Sequence, residues 1–230
     1  MDRRHYIRSL AGAGVVGTAG CLGSVPGFGN ENTVLGPPEQ DLSEASHPSY
    51  GDELPAVTLP DPIAGEEIST ERIFDERDRA VLLTFFYTHC PDGICAALIR
   101  YLRRAQIVAS EQGAADEAAF LPITFDPERD TAAVLREYAD RMNVNLDAGN
   151  WHFLRPESFE ASQSLIREQF GLATKKVYDH DYQESLEYTF THLGYIFLVN
   201  KQGIIERVYP GGKAISIERV EEDFTRVLNQ

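Results

Sequence analysis

One stretch, Val81 to Cys95, constrains what this chain can fold into more than any other. An apolar run rich in β-branched and aromatic residues stops at Thr88, and two cysteines then flank a Pro-Asp-Gly turn before an amphipathic pattern begins. The pattern is that of a buried strand delivering two thiols to the N-terminus of a helix. The unsatisfied amides and positive dipole end found there favour thiolate over thiol, so both sulfurs are expected to be reactive or metal-binding rather than inert packing.

The spacing of the thiols can be set against helix geometry. Residues five apart on an α-helix are rotated by roughly 140° and displaced by about 7.5 Å, so Cys90 and Cys95 cannot face one ion from within a helix. Cys90 is therefore expected in the turn and Cys95 in the first helical turn. Asp92 is a suitable N-cap, Gly93 supplies backbone freedom, and Ile94, Leu98, Leu102, Ala105 and Ala109 mark one apolar face up to Gly113. The plainer alternative is a pair of small buried residues in a strand-helix unit.

The remaining sequence places this unit in one α/β domain. Ala56–Leu59 and Glu67–Thr70 read as short strands ahead of the central strand, and Ala118–Phe125 reads as another strand ended by Asp126-Pro-Glu-Arg-Asp-Thr131. A second helix, capped by Asp130 or Thr131, carries Val134, Leu135, Tyr138 and Met142 on one face. Trp151–Leu154 reads as a short strand and Phe159–Phe170 as a third helix. Tyr188–Val199 and Ile204–Tyr209 form a hairpin, and Ile215–Leu228 is the closing helix. Strands alternating with helices imply a mainly parallel arrangement, which the hairpin turns into a mixed sheet. The expected architecture is a thioredoxin-like fold over residues 51–230: a central mixed sheet flanked by helices, with extra N-terminal strands and a C-terminal hairpin and helix.

Residues 1–21 read as an address. Arg3 and Arg4 head a twin-arginine export signal, the small apolar run Leu10–Ala19 is too short to span a bilayer, and Cys21 follows small residues as in a lipobox. An uncleaved anchor or tail is the alternative. Residues 22–50, rich in Gly, Pro, Ser, Asn and Glu, read as a flexible linker in which His47 is solvated. The protein is thus expected outside the cell, held to the outer face of the membrane by a lipid on Cys21. Its formal net charge of −15 argues against a nucleic-acid partner, and removal of residues 1–20 leaves −17. Arginine supplies most of the positive charge and lysine little, a balance that fits a halophilic host.

The segments Phe85-Phe-Tyr-Thr-His-Cys-Pro-Asp92, Asp126-Pro-Glu-Arg-Asp-Thr131 and His192, with Gly203 eleven residues later, resemble the Sco/SenC family of exported copper-binding proteins. The similarity runs from about Leu54 to Leu228. It implies a thioredoxin-like fold in which two cysteines and one distal histidine bind copper, as Cu(I) or Cu(II), for assembly of the copper-A centre of cytochrome c oxidase. By position the matching ligands are Cys90, Cys95 and His192, and the implied partner is a protein like oxidase subunit II. The family's spacing is one residue shorter, so Gly93 is an addition; Ala96 stands where a second proline is usual, and Thr191 where Asp precedes the histidine.

The donor types agree with that resemblance, since two thiolates suit Cu(I) and an added imidazole can also hold Cu(II), with zinc as competitor. His89 is expected to point off the strand as a structural or supporting residue, and His152 and His180 are weaker candidates. Asp92 and Asp126 could line the pocket without touching metal. Three functions follow: a metallochaperone without turnover, a thiol-disulfide reductase in which Cys90 and Cys95 are the catalytic pair, and, last, a redox sensor passing through a sulfenic acid.

Overall fold

The computed structural model describes residues 32–75, 78–178, 187–191 and 194–230. The export signal, Cys21, His180 and His192 lie outside the described residues. The central strand β3, Ala80–Phe86, is buried along its whole length, which explains why its sequence is a continuous apolar run rather than an alternation. Its neighbours are β4 (Ala118–Thr124), paired in parallel, and β7 (Tyr195–Val199), paired antiparallel. The last strand, β8 (Ile205–Pro210), extends β7 as a hairpin, giving the order β4-β3-β7-β8. The sheet is mixed, as the hairpin requires.

Alternate residues of β3 send their rings to opposite layers. Phe86 meets Tyr138 of helix α3 (Ala132–Arg141) and Phe153, while Phe120 of β4 meets Phe224 of the closing helix α5 (Ile217–Leu228) on that same face. Phe85 turns the other way, onto Phe170 of helix α4 (Phe159–Phe170) at 4.9 Å between ring centroids. An antiparallel pair, β1 (Thr58–Asp61) and β2 (Glu66–Ser69), precedes the short helix α1 (Thr70–Asp75). Among the described residues, no helix is long and apolar enough to cross a membrane.

Three elements differ from expectation for identifiable reasons. Trp151–Leu154 makes only two isolated bridges to β4, at Trp151 and Leu154. Phe120 N donates to the Asn150 carbonyl and Thr124 N to that of Leu154, but Pro122 between them has no N–H, so the ladder is broken at its middle. The single strand expected over Tyr188–Val199 is divided: β6 (Thr189–Thr191) pairs with β5 (Lys175–Val177), a strand the sequence pattern did not reveal, while β7 belongs to the main sheet. Asp130 does not cap α3; Thr131 does, accepting from Val134 N.

The linker reading of residues 22–50 is corrected from residue 32 onward. Leu35 is 1% exposed, and Glu206 of β8, itself fully buried, accepts the backbone amides of Val34 (2.6 Å) and Leu35 (2.9 Å) and the side-chain amide of Asn200. Ser46 Oγ donates to the Gly171 carbonyl at the end of α4. His47 is buried against Tyr195 and Phe197 instead of solvated. Apolar composition was low here because the segment is held chiefly by hydrogen bonds to a buried carboxylate. Charge-assisted bonds of this kind contribute about 1.5–3 kcal/mol each, and the amides left unpaired add a desolvation penalty. Glu206→Ala is therefore expected to cost about 2–4 kcal/mol in urea unfolding; a loss below about 1 kcal/mol would show that the clamp on residues 34 and 35 is dispensable.

Candidate metal centre

Helix α2, Ile94–Glu111, begins where β3 and its following turn end. Gly93, rather than Asp92, occupies the N-cap position, and its left-handed conformation (φ 71°, ψ 9°) turns the chain between the two cysteines. Asp92 still serves the helix end, accepting from Ile94 N at 2.9 Å. The next amide, that of Cys95, donates to Cys90 Sγ at 3.3 Å. A sulfur thus does the work of a capping oxygen, and Cys90 is folded back over the helix that carries Cys95.

The two thiols are not equivalent. Cys90 is half-buried, and its Sγ donates to Asp92 Oδ1 at 2.9 Å. It lies between an amide that favours negative charge and a carboxylate that holds the thiol proton. Cys95 is fully buried, and burial pushes its pKa well up, reinforced by its hydrogen bond with Cys90 and by the nearby Cys90 charge. The expectation that the helix N-terminus makes both sulfurs thiolates therefore fails at Cys95, where desolvation outweighs the dipole. Cys90 Sγ thus lies 3.3 Å from the backbone of Cys95, and both cysteines are reduced thiols. Two adjacent soft donors with no bond between them fit a soft cation such as Cu(I) and also fit reversible disulfide formation. Among the described residues no group of three His, Cys, Asp or Glu is arranged to hold a metal ion.

The remaining candidates separate clearly. His89 is exposed beyond the end of β3, with Nδ1 2.8 Å from Thr88 Oγ1; partial burial and Arg129 lower its pKa. His152 is buried 3.1 Å from Asp61 Oδ2, an internal pair remote in role from the thiols. Asp126 is fully buried and accepts from Arg129 Nε at 2.5 Å and from the Tyr188 hydroxyl at 2.9 Å. Asp130, read from sequence only as a cap, is the residue that was missed. Fully buried, it accepts from the Thr88 amide, the Thr88 hydroxyl (2.5 Å) and the Thr124 hydroxyl (2.5 Å), and so fixes the chain two residues before Cys90. The i, i+4 carboxylates of Asp126-Pro-Glu-Arg-Asp130 were the available signal.

The segments on either side of position 192 converge on this centre. Phe190 packs its ring 5.0 Å from that of Tyr87, three residues before Cys90. Gly194 lies so close to α2 that a Cβ there would stand 2.9 Å from Ile94 Cγ2 and 2.8 Å from Gly212 Cα. Gly212 N and Gly211 N both donate to the Gly194 carbonyl.

Burial pushes the Asp130 carboxyl up from its ordinary value of 3.8 to about 6, against the opposing pull of the Thr124 and Thr88 hydrogen bonds and with a further rise from Asp126. A carboxyl whose folded pKa lies above its unfolded one binds its proton more tightly when folded. Its contribution to stability is full below about pH 3.8 and is lost as pH rises through about 6, a change on the order of 3 kcal/mol. Asp130→Asn, uncharged at every pH, should flatten that part of the stability profile in urea unfolding between pH 4.5 and 7.5. Identical slopes in wild type and variant would assign the titration elsewhere.

Comparison with known proteins places this geometry. The pattern of the SCO1/SenC family matches residues 64–229. No curated protein matches the chain. Among solved structures, apo Sco1 from Thermus thermophilus is 27% identical, with a TM-score of 0.54 over 79% of this chain and 98% of that one. ScoI from Arabidopsis thaliana, solved with copper bound, is 20% identical with a TM-score of 0.58, covering 79% of this chain and all of that one. BsSco, described as a Sco-family cytochrome c oxidase assembly protein with a disulfide switch, is 17% identical with a TM-score of 0.58, covering 78% and 95%. With the family pattern spanning the whole sheet and both thiols, the chain belongs to the SCO1/SenC family.

Proposed function

We propose that this protein is an exported, membrane-anchored copper-binding protein that delivers copper to, or helps assemble, the copper-A centre of a terminal oxidase, with a subunit II-like protein as partner. The observation that carries the reading is the pair of adjacent reduced sulfurs at the start of α2, with Phe190 and Gly194 held against the same centre on either side of His192. His192, the histidine that the family resemblance matches to the distal ligand, falls in sequence between these two residues, and this order supports it as the third donor. Cys90 and Cys95 hold Cu(I), and His192 completes a set that also accepts Cu(II). Copper bound in the Arabidopsis relative supports this assignment.

A second reading is favoured by the inequality of the thiols. In a dithiol reductase the half-buried Cys90, after giving up its proton, attacks one sulfur of a target disulfide; the other sulfur leaves as a thiolate. Buried Cys95, on losing its proton, then attacks Cys90 in the mixed disulfide, so that two electrons and two protons pass to the target. The disulfide switch described for BsSco supports this alternative.

His192 separates the two readings. His192→Ala should weaken Cu(II) far more than Cu(I), at least tenfold by competition titration, and leave disulfide exchange largely in place. Cys90→Ser or Cys95→Ser should each remove most thiolate-to-copper charge-transfer absorption. Reconstitution of an oxidase copper-A centre should proceed with copper-loaded wild type and fail with metal-free reduced protein plus copper salt. Equal reconstitution by wild type, His192→Ala and the metal-free protein would make it a thiol reductase.

The address proposed for the protein rests on Arg3, Arg4 and Cys21. Cys21→Ser should move it from the membrane to the soluble exported fraction, read by fractionation and immunoblot. An unchanged membrane fraction would sink the lipid anchor.

A further inference from the structure

One flank of α2 takes no part in holding the thiols. In a chain with 36 acidic and 21 basic residues, three arginines fall within five positions of this helix, Arg100, Arg103 and Arg104. They line an open groove of about 370 Å³ whose floor includes Ile107, Met142 and Ile217, apolar side chains left only half-buried. Arg104 is paired with Glu221 of α5 at 2.6 Å, and Arg103 Nε donates to the Asn143 carbonyl. Arg100 is exposed, and makes no hydrogen bond or ion pair with a described residue.

The groove runs along the helix that carries Cys95. Ala97, two residues after Cys95, is at its near end. At the same end Lys213 reaches over the turn between the cysteines, where a Cβ on Gly93 would stand 3.4 Å from its Nζ. Tyr101, in the groove wall, donates to the Ile215 carbonyl at 2.9 Å and so ties the turn that carries Lys213 to α2. Four cations thus extend from the thiol turn along the helix, opposed by Glu218 and Glu221 of α5. Lysine occurs only at 175, 176, 201 and 213 in this chain, so its presence beside the cysteines is not a matter of abundance.

We propose that this groove is the docking surface for the protein that exchanges with the thiol site, and that it takes an acidic segment bearing an apolar side chain. Guanidinium forks pair with carboxylates, and the half-buried floor accepts one aliphatic residue. The chain's net charge of −15 repels an acidic partner from most approaches, so a local cluster of cations sets both the rate and the orientation of encounter. The exchange itself rests on the copper reading; the binding does not.

The test uses the full chain in detergent and a fluorescein-labelled peptide of repeated Asp-Glu-Leu, with its Lys-Lys-Leu counterpart as control. Saturable one-to-one binding of the acidic peptide alone is expected, weakened at least tenfold by Arg100→Glu and further by Arg100→Glu with Arg103→Gln. Arg226→Glu, an exposed change of equal charge at the far end of α5, should leave it nearly unchanged. Copper stoichiometry should not move in any variant. No saturable binding, binding undiminished in Arg100→Glu, or an equal loss in Arg226→Glu would overturn the proposal. So would tighter, Arg100-dependent binding to phosphatidylglycerol vesicles, which would make the occupant a membrane, or Arg100-dependent dimerisation in sedimentation, which would make it a second copy. A chain that loads copper but ignores the peptide loses the groove alone; one that binds the peptide but no copper keeps the groove and loses the copper reading.

Discussion

Burial of β3 on both faces is the constraint on which the rest of the structure depends. A strand with no solvent face cannot shift its register, because a slip of one residue would exchange Phe85 for Phe86 between two differently shaped layers. The turn at its end is therefore launched from a fixed point, and the helix that follows begins at a fixed height above the sheet. Reactive groups placed at such a junction inherit the rigidity of the core without being enclosed by it. Cys90 is the residue that profits, since it is the first sulfur past the last fully buried ring, that of Tyr87.

Rigidity at one end of the turn would be of little use without control of the other wall. The loop after β4 supplies it, with two buried carboxylates acting in different directions. Asp130 holds Thr88, and hence the approach to Cys90, whereas Asp126 holds Tyr188, on the segment that leads toward position 192. Arg129, lying 3.7 Å over the Tyr188 ring and bonded to Asp126, makes the second connection tight and offsets one of the two negative charges. A short loop thereby registers Thr88 and Tyr188, two parts of the chain a hundred residues apart in sequence.

The parts of this arrangement that were legible in the sequence are those governed by local chemistry. The run from Val81 to Tyr87, the breaking Pro-Asp-Gly and the 3.6-residue period after Ile94 each follow from neighbours in the chain, and Phe159–Phe170 is a helix over the range its pattern indicated. What escaped was set by distant partners. Asp130 looks like any cap until Thr88 and Thr124 are seen to enclose it, and the suppression of thiolate at Cys95 depends on a burial that helix polarity cannot forecast. Pro122 was visible, but its effect lies on a strand edge thirty residues away. Residues 32–50 were misread because their anchor, Glu206, comes from the opposite end of the chain.

That anchor changes how far the protein can range. A leash running to residue 50 would let the domain sweep a wide volume above whatever surface held it. With Val34 and Leu35 fastened to β8, a lipid on Cys21 would stand at most about 35–40 Å from residue 32, the greatest span the intervening residues allow. The thiols would then stay within a layer above the anchoring surface no deeper than that span plus the depth of the domain. A target would meet them at high effective concentration if its own site lay in that layer, and hardly at all if it stood higher.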